Sequence, residues 1–339
     1  MRGRLRTGIF ATIGLLLLIL DSKTALAGAQ EAVELCLAVV IPSLFPFFVL
    51  SGMLACSVSG GGYRILRPLE RILGIPIGTG GLFLTGLVGG YPTGAQAVAE
   101  ARKSGQLSHN EGKRMLAFCS NAGPAFLFGI LGRSFSNIGL VWLLWGIHIL
   151  SAVIVGVILP GRVKRSRGIP QTPPPSLPMA LRKAVATTAY VCGWILLFRV
   201  ILAFLSRWCL WLAGDDGQVA IYGLLELTNG CCSLHLIENE GLRLMIASGI
   251  LAFGGLCVAM QTASVTGDLG FGWYLPGKVL QAIISLILAG ISAFLMFGDG
   301  ILPSVFLVVI IGFPFLVVIR WLLRRKNEKN SSIFPMVGV

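Results

Sequence analysis

Gly89-Gly90-Tyr91-Pro92-Thr93-Gly94 interrupts an apolar segment in the first half of the chain, and Asn121-Ala122-Gly123-Pro124 interrupts the next one. Two further interruptions, Glu226-Leu227-Thr228-Asn229-Gly230 and Phe253-Gly254-Gly255, fall at matching places in the second half. Inside a bilayer, an interrupted helix leaves backbone polar groups that must be buried in protein or line a cavity. Interrupted hydrophobic segments in corresponding positions of two halves are typical of a transporter binding site.

The composition places these segments in a membrane. The 339 residues are 55% hydrophobic and 12% charged, whereas a soluble domain has about 25% charged residues. About ten apolar windows are long enough to be candidate spans, and because several are interrupted we expect fewer full crossings. The sequence therefore predicts an all-α, polytopic protein of the cell membrane, with two structurally related halves that contain broken or re-entrant helix hairpins.

The net charge of +13 would suggest a nucleic-acid partner if the protein were soluble. The cations instead cluster before the first apolar segment, around the stretch 161–178 and after the last segment. This distribution is typical of the positive-inside bias of membrane proteins. We therefore expect the lipid bilayer as a partner, no nucleic acid, and a cytoplasmic N-terminus, linker and C-terminus.

This placement constrains the topology. If both ends and the linker are cytoplasmic, each half crosses the membrane an even number of times, so each half needs a segment that does not span. The proline-containing run Ile41–Phe48 is the first candidate for a re-entrant segment. The N-terminal apolar run up to Leu20, followed by Ala25-Leu26-Ala27, also has the form of a cleavable signal peptide. We expect it to be retained as the first helix.

Six regions follow from these patterns. The clearest boundary is the stretch 161–178, whose prolines and positive charges predict an extended, solvated linker. The predicted regions are an N-terminal helix with an amphipathic connection (1–36), a first repeat (37–160) with a broken hairpin at 78–132, the linker (161–178), a second repeat (179–265) with a broken hairpin at 217–263, a helical pair (266–323) and a basic cytoplasmic tail (324–339).

Details of the two hairpins can also be predicted. Ser108 followed by Glu111 is a capping-box pattern that starts the second arm of the first hairpin. The first arm of the second hairpin is expected to break near Thr228–Cys232, and its return arm at Gly254-Gly255. Lysines and arginines flank the first turn and glutamates lie in the second, which favours turns on opposite sides of the membrane, as in an inverted repeat.

Polar side chains in or beside the four interruptions are the candidate substrate-binding residues. A helix that restarts after an interruption presents unpaired N–H groups and the positive end of its dipole, which suits an anion. For each side chain two interpretations remain open, because it could bind carboxylate or carbonyl oxygens or only satisfy backbone freed by a kink. The candidates are Tyr91, Thr93, Ser120, Asn121, Thr228, Asn229, Gln261 and Ser264.

Two ionisable residues inside apolar runs complete this candidate set. An intramembrane carboxylate such as Glu226 is a functional candidate by default, and it could bind a coupling cation, carry a proton or pair with Arg199. Arg199 could reach an interface or face the cavity, where it would favour an anionic substrate.

Enzymatic chemistry finds no support in the sequence. We see no nucleophile–base pair and no metal-ligand cluster, so we expect no catalytic residues, no metal, no cofactor and no enzyme activity. The stretch 272–279 nearly matches a phosphate-binding loop but lacks the hydroxyl residue after Lys278. We interpret it as an interfacial aromatic belt that starts a span.

Several of these motifs, taken together, resemble those of a known protein family. They are the segments 42–48, 90–95, 111–118 and 121–126 in the first half, and 226–230 and 253–261 in the second. In these segments the chain resembles the Gate-domain (nucleoside-recognition) family, in its branch of sporulation integral membrane proteins of the YlbJ type.

The resemblance implies a distant relation to concentrative nucleoside transporters and to the membrane part of ferrous-iron transporters. It also implies a role in spore formation in a Gram-positive bacterium. There the branch is associated with moving dipicolinate, a small aromatic dicarboxylate, from the mother cell across the outer forespore membrane. The residues alone lead only to a transporter for a small polar, anionic solute. A nucleoside carrier, a non-transporting membrane scaffold and a homo-oligomer remain open.

Overall fold

Helices form every regular element in the part of the chain that the computed structural model describes, namely residues 2–59, 64–161, 163 and 176–298. Most of the predicted linker, the second member of the predicted helical pair and the predicted tail lie outside these residues. The α-helices are α1 (Arg2–Leu20), α2 (Ser22–Leu35), α3 (Ile41–Ser59), α4 (Arg67–Leu73), α5 (Gly80–Gly89), α6 (Thr93–Lys103), α7 (His109–Cys119), α8 (Pro124–Gly129), α9 (Ile138–Ile158), α10 (Leu177–Trp208), α11 (Gly214–Leu225), α12 (Leu227–Cys232), α13 (Glu240–Phe253), α14 (Gly255–Thr266) and α15 (Tyr274–Phe297).

Several of these helices are long and apolar enough to cross a membrane. Among the described residues there are five such segments, and one of them, Glu240–Leu269, contains a break. This confirms the prediction of an all-helical, multi-pass membrane protein, while the relation between the two halves stays a prediction. The segments are Ser22–Met53, Ile138–Ile158, Leu177–Trp208, Glu240–Leu269 and Tyr274–Phe297.

The proline-containing run near residue 41 is helical, which corrects the prediction of a re-entrant segment there. α2, a π-helical turn at Cys36–Val40 and α3 follow one another without interruption, with Pro46 inside α3. The Ser43 hydroxyl donates to the carbonyl of Val39 at 2.6 Å. Serine side chains and local π-helical turns are among the adjustments with which membrane helices accommodate proline, and this helix continues through its prolines.

The predicted breaks are present in both halves. α5 ends at Gly89 and α6 begins at Thr93, α7 ends at Cys119 and α8 begins at Pro124, and α13 gives way to α14 at Gly254. The remaining break lies at Glu226, whereas the predicted stretch Thr228–Cys232 is helical and belongs to α12. The helix restarts at once because the Glu226 side chain accepts hydrogen bonds from the first-turn amides of α12.

Close packing against the end of α7 holds the first hairpin together. The glycines of the ladder Gly86-xxx-Gly90-xxx-Gly94 allow this packing, since a Cβ built at Gly86 or Gly94 would overlap the carbonyl oxygen of Cys119. The predicted capping box of Ser108 and Glu111 starts α7. The glycine ladder therefore fixes α5 and α6 directly against the break between α7 and α8.

Arg114 anchors the other face of α7. Its guanidinium donates to the carbonyl oxygens of Leu73, Gly74, Gly156 and Leu159, which lie at the ends of α4 and α9. Carbonyls at helix ends have no partner within their own helix, so one buried arginine satisfies several of them. α15 packs along α7, α9 and α13, which brings its N-terminal half behind the first two breaks.

Candidate functional site

Three of the four helix breaks line one pocket, and α14, which follows the fourth break, completes its wall. Its empty space is about 510 Å³, a volume that includes open solvent at its mouth. α3 and α10 supply apolar walls, with Phe47, Phe48, Val191 and Ile195 among the lining residues. The breaks, the first turn of α12 and the middle of α14 contribute the polar lining groups, which include Tyr91, Glu226, Thr228 and Gln261.

Backbone contacts between glycines bring the breaks together. A Cβ built at Gly90 would lie 3.0 Å from the amide nitrogen of Gly123, and one at Gly255 would lie 3.0 Å from the carbonyl oxygen of Gly223. Both Gly90 and Gly255 have positive φ angles, a conformation that favours glycine. The two breaks of each hairpin therefore touch through bare backbone.

Tyr91 joins the breaks of the two halves. Its side chain is buried and lines the pocket. The hydroxyl donates to the carbonyl oxygen of Leu251 at 3.3 Å, near the end of α13. A Cβ built at Gly254 would lie 3.2 Å from Tyr91 Cζ, so any other residue at this position would crowd the Tyr91 ring.

Glu226 is a buried carboxylate on the pocket wall. The residue is 1% exposed. Its Oε1 accepts from the amide of Thr228 at 3.0 Å and its Oε2 from the amide of Asn229 at 2.7 Å. Glu226 therefore caps α12 with its side chain and also lines the pocket.

Arg199 pairs with Glu31, a residue outside the predicted set. The guanidinium donates to Glu31 Oε2 through both Nε, at 3.0 Å, and Nη2. Its Nη1 donates to Asn229 Oδ1 at 2.7 Å. The alternative in which Arg199 forms a direct pair with Glu226 is therefore not observed. A chain of polar contacts instead leads from the pocket through Glu226 and Asn229 to Arg199 and Glu31.

We expect Glu31 and Arg199 to show energetic coupling. Glu31→Gln and Arg199→Gln should each lower the melting temperature of the detergent-purified protein, because each leaves its former partner unpaired within an apolar segment. The double variant should lose less stability than the sum of the two single losses, with a coupling free energy of about 1–2 kcal/mol. As a matched control, Glu34→Gln removes an exposed carboxylate of α2 outside this pair and should combine additively with Arg199→Gln. If Arg199→Gln combines additively with Glu31→Gln as well as with Glu34→Gln, the pairing of Glu31 and Arg199 is contradicted.

Ser120 and Asn121 lie behind the pocket wall. Asn121 Nδ2 donates to the carbonyl oxygen of Phe118 at 2.7 Å, and its Oδ1 accepts from Gln281 Nε2 at 3.1 Å. The amide of Ala122 donates to His148 Nε2 at 3.0 Å. His148 on α9 and Gln281 on α15 therefore supply partners for the Ala122 amide and the Asn121 side chain in the break between α7 and α8.

The other predicted residues divide into two groups. Thr228 and Gln261 line the pocket, and Thr93 is half-buried beside it with its methyl carbon close to Gly89. Ser264 is exposed, and its hydroxyl donates to the carbonyl of Met260 in its own helix. The structure therefore brings most of the predicted side chains to the breaks but leaves Ser264 away from them.

Lys278 is a central residue that the sequence reasoning missed. It is fully buried in α15, and its Nζ donates to the carbonyl oxygen of Ser120 at 2.8 Å and to Gln281 Oε1 at 2.6 Å. The interpretation of 272–279 as an interfacial belt is wrong for Lys278, because a snorkelling lysine would keep its ammonium group in water. The available signal was a lysine at the start of an apolar span, which is costly unless it has partners.

Together these features define an all-helical, multi-pass membrane protein with a pocket lined by three helix breaks and by the helix that follows the fourth. The chain is 29% identical to the sporulation integral membrane protein YlbJ of Bacillus subtilis (strain 168), over an alignment of 306 residues that covers 74% of this chain and 72% of that protein. This similarity supports the YlbJ-type resemblance. No family model and no solved structure matches the chain, and the Gate-domain assignment stays a prediction.

Proposed function

We propose that this protein moves a small, polar, anionic solute across a membrane. The observation that carries the proposal is a pocket lined by three helix breaks and by the helix that follows the fourth, since breaks of this kind hold the substrate in secondary transporters. α6 and α8 begin beside this pocket, and the positive end of a helix dipole favours negative charge. The proposal assigns the protein no enzymatic reaction and no cofactor.

Dipicolinate (pyridine-2,6-dicarboxylate) is the specific solute that we propose. The similar protein from Bacillus subtilis is a sporulation membrane protein by name, and the resemblance of the motifs connects this branch with dipicolinate. A pocket with phenylalanine walls and a few polar groups suits a flat aromatic ring with polar substituents. In a spore former, the protein would act in the outer forespore membrane and take dipicolinate from the mother cell.

Uptake of radiolabelled dipicolinate into proteoliposomes tests this function. We expect uptake by the wild-type protein and a decrease of roughly tenfold in Asn121→Ala, since a buried partner left without its hydrogen bond costs about 1–3 kcal/mol. Thr93→Ala should also reduce uptake because the residue begins α6 beside the pocket. Ser264→Ala is the matched control and should leave uptake unchanged, because its hydroxyl contacts only its own helix.

Two results would count against the proposal. The first is an absence of uptake by correctly folded wild-type protein, and the second is full uptake by the Asn121→Ala and Thr93→Ala variants. A deletion strain of the source organism adds an independent measurement, because normal dipicolinate in its spores would remove this solute and leave the general transporter function.

A nucleoside is the second candidate solute. The buried carboxylate of Glu226 on the pocket wall favours it, since a carboxylate accepts hydrogen bonds from ribose hydroxyls and repels an anion. Competition in the uptake assay separates the two, because a nucleoside substrate would be displaced by nucleosides and not by dicarboxylates. A non-transporting scaffold predicts instead that sporulation survives both alanine variants.

A further inference from the structure

The surroundings of Lys278 indicate a missing partner. Its ammonium group is fully buried and lies 5.1 Å from the centre of the Tyr91 ring. Its two hydrogen-bond acceptors, the carbonyl oxygen of Ser120 and the amide oxygen of Gln281, are both uncharged. Among the salt bridges between described residues, none involves Lys278. A buried charge without a counter-charge is costly, so a charged Lys278 requires an anion that the described residues do not supply.

Three buried hydroxyl groups, one of them on the Ser120 that binds the lysine, also lack partners. The hydroxyls of Ser120, Thr262 and Tyr274 make no hydrogen bond within the described structure, although each residue is 1% exposed or less. The Tyr274 hydroxyl lies within interaction range of the other two. They come from the break after α7, from α14 and from α15, so three separate elements direct hydroxyl groups to one place, which Lys278 contacts through the carbonyl oxygen of Ser120.

The chemistry of this group selects the charge of the ligand. Hydroxyl groups can donate to an anion or bind a cation through their oxygens. The ammonium group decides between the two, because a second cation within a few ångströms would be repelled in this dry environment. A carboxylate satisfies both requirements, as it accepts several hydrogen bonds and neutralises the lysine.

Tyr91 stands between this group and the pocket. One face of its ring is near Lys278 Nζ, and the residue lines the pocket. A single hydrogen bond of 3.3 Å holds its hydroxyl to Leu251. A rotation of the Tyr91 side chain would therefore open a path from the pocket to the lysine.

We propose that Lys278, with the hydroxyls of Ser120, Thr262 and Tyr274, binds a carboxylate group of the transported solute, which enters from the pocket past Tyr91. This inference rests on the proposed function because it assigns the recognition of the anion. It also separates the anion from Glu226, which lies on the pocket side of Tyr91, so the two like charges need not meet.

Equilibrium binding of pyridine-2,6-dicarboxylate and of benzoate to the purified protein tests the site. Lys278→Met keeps the length of the side chain and removes its charge, and we expect the affinity for both probes to fall by about tenfold or more, the loss typical of a hydrogen bond to a charged group. Tyr274→Phe removes one hydroxyl and should cause a smaller loss, about threefold to tenfold. Lys183→Met, which removes an exposed lysine paired with Glu100, and Tyr190→Phe should bind like the wild type.

Each outcome either supports or overturns the site. Unchanged affinity in Lys278→Met and Tyr274→Phe, or no carboxylate binding by the wild type, overturns it. If Lys278→Met is not monodisperse, the Tyr274→Phe affinity alone decides. Dipicolinate uptake that survives in Lys278→Met leaves the proposed function standing and removes the site. Lysine-dependent binding of benzoate without binding of the dicarboxylate supports the site and removes dipicolinate as the solute.

Discussion

Replacement of Gly86 by alanine is expected to abolish the folded protein. The added Cβ would overlap the carbonyl oxygen of Cys119, and a backbone atom cannot rotate away as a side chain can. Overpacking a tight interface costs about 1–3 kcal/mol and occasionally more, and we expect this variant to exceed the upper value. The displaced backbone at Cys119 leads directly into Ser120 and Asn121, so the break between α7 and α8 would move as well.

Size-exclusion profiles and melting temperatures in detergent measure this effect. Gly146→Ala is the matched control, because it adds the same methyl group to α9 where no atom lies within 4 Å of the new Cβ. It should be neutral or slightly stabilising, since alanine is a better helix former than glycine. A Gly86→Ala protein that is monodisperse and melts like Gly146→Ala would show that α5 does not pack against α7 as described.

Replacement of Glu226 by leucine should destabilise the protein and stop transport. The amides of Thr228 and Asn229 would lose their acceptors inside the protein, and each such loss costs about 1–3 kcal/mol. With two amides affected, we expect a decrease of about 5–10 °C in the melting temperature. Uptake should fall more than tenfold, because the first turn of α12 and Thr228 line the pocket.

Two further variants separate the cap from the charge. Glu226→Gln keeps one acceptor oxygen and should show about half of the loss in stability. Glu100→Gln removes an exposed carboxylate paired with Lys183 and should change the stability by less than about 1 kcal/mol. Melting curves of Glu226→Leu that coincide with those of Glu100→Gln would contradict the capping role.

The sequence was sufficient to predict the helix breaks because local chemistry decides them. The positive φ angles of Gly90 and Gly254 need residues without a side chain, and a capping box depends only on Ser108 and its neighbour three positions later. The break at Glu226 lies a few residues before its predicted position. The Glu226 carboxylate caps the helix that follows, and this cap can be predicted only if the restart of the helix is already known.

Partners distant in sequence could not be predicted in the same way. Glu31 and Arg199 are separated by 168 positions, and Lys278 and Ser120 by 158. An isolated ionisable residue in an apolar run shows that a partner is needed, but the packing of whole helices selects which one. The prolines near Pro46 led to the wrong prediction of a re-entrant segment for a related reason. The hydrogen bond of Ser43 and the π-helical turn form only in the completed helix.

The two longest apolar segments lie antiparallel along one another. Asp21 pairs with Arg207 at 3.2 Å, a Cβ at Gly28 would be 2.7 Å from Ala203 Cβ, and Glu31 meets Arg199. Each segment has 32 residues, or a length of ~48 Å at 1.5 Å per residue. A hydrocarbon layer of about 30 Å would contain that length only at a tilt of roughly 50°, beyond the observed range of about 0–40°.

The ends of this helix pair must therefore project beyond the hydrocarbon. If the excess is shared equally, about 9 Å of helix stands outside the layer at each end. Glu31 follows the start of its segment at Ser22 by nine positions, or ~14 Å along the axis. The Arg199 guanidinium, which pairs with Glu31, would then lie roughly one helical turn below the headgroups. A change in bilayer thickness would therefore alter the surroundings of Arg199, the residue that the polar contacts connect to Glu226.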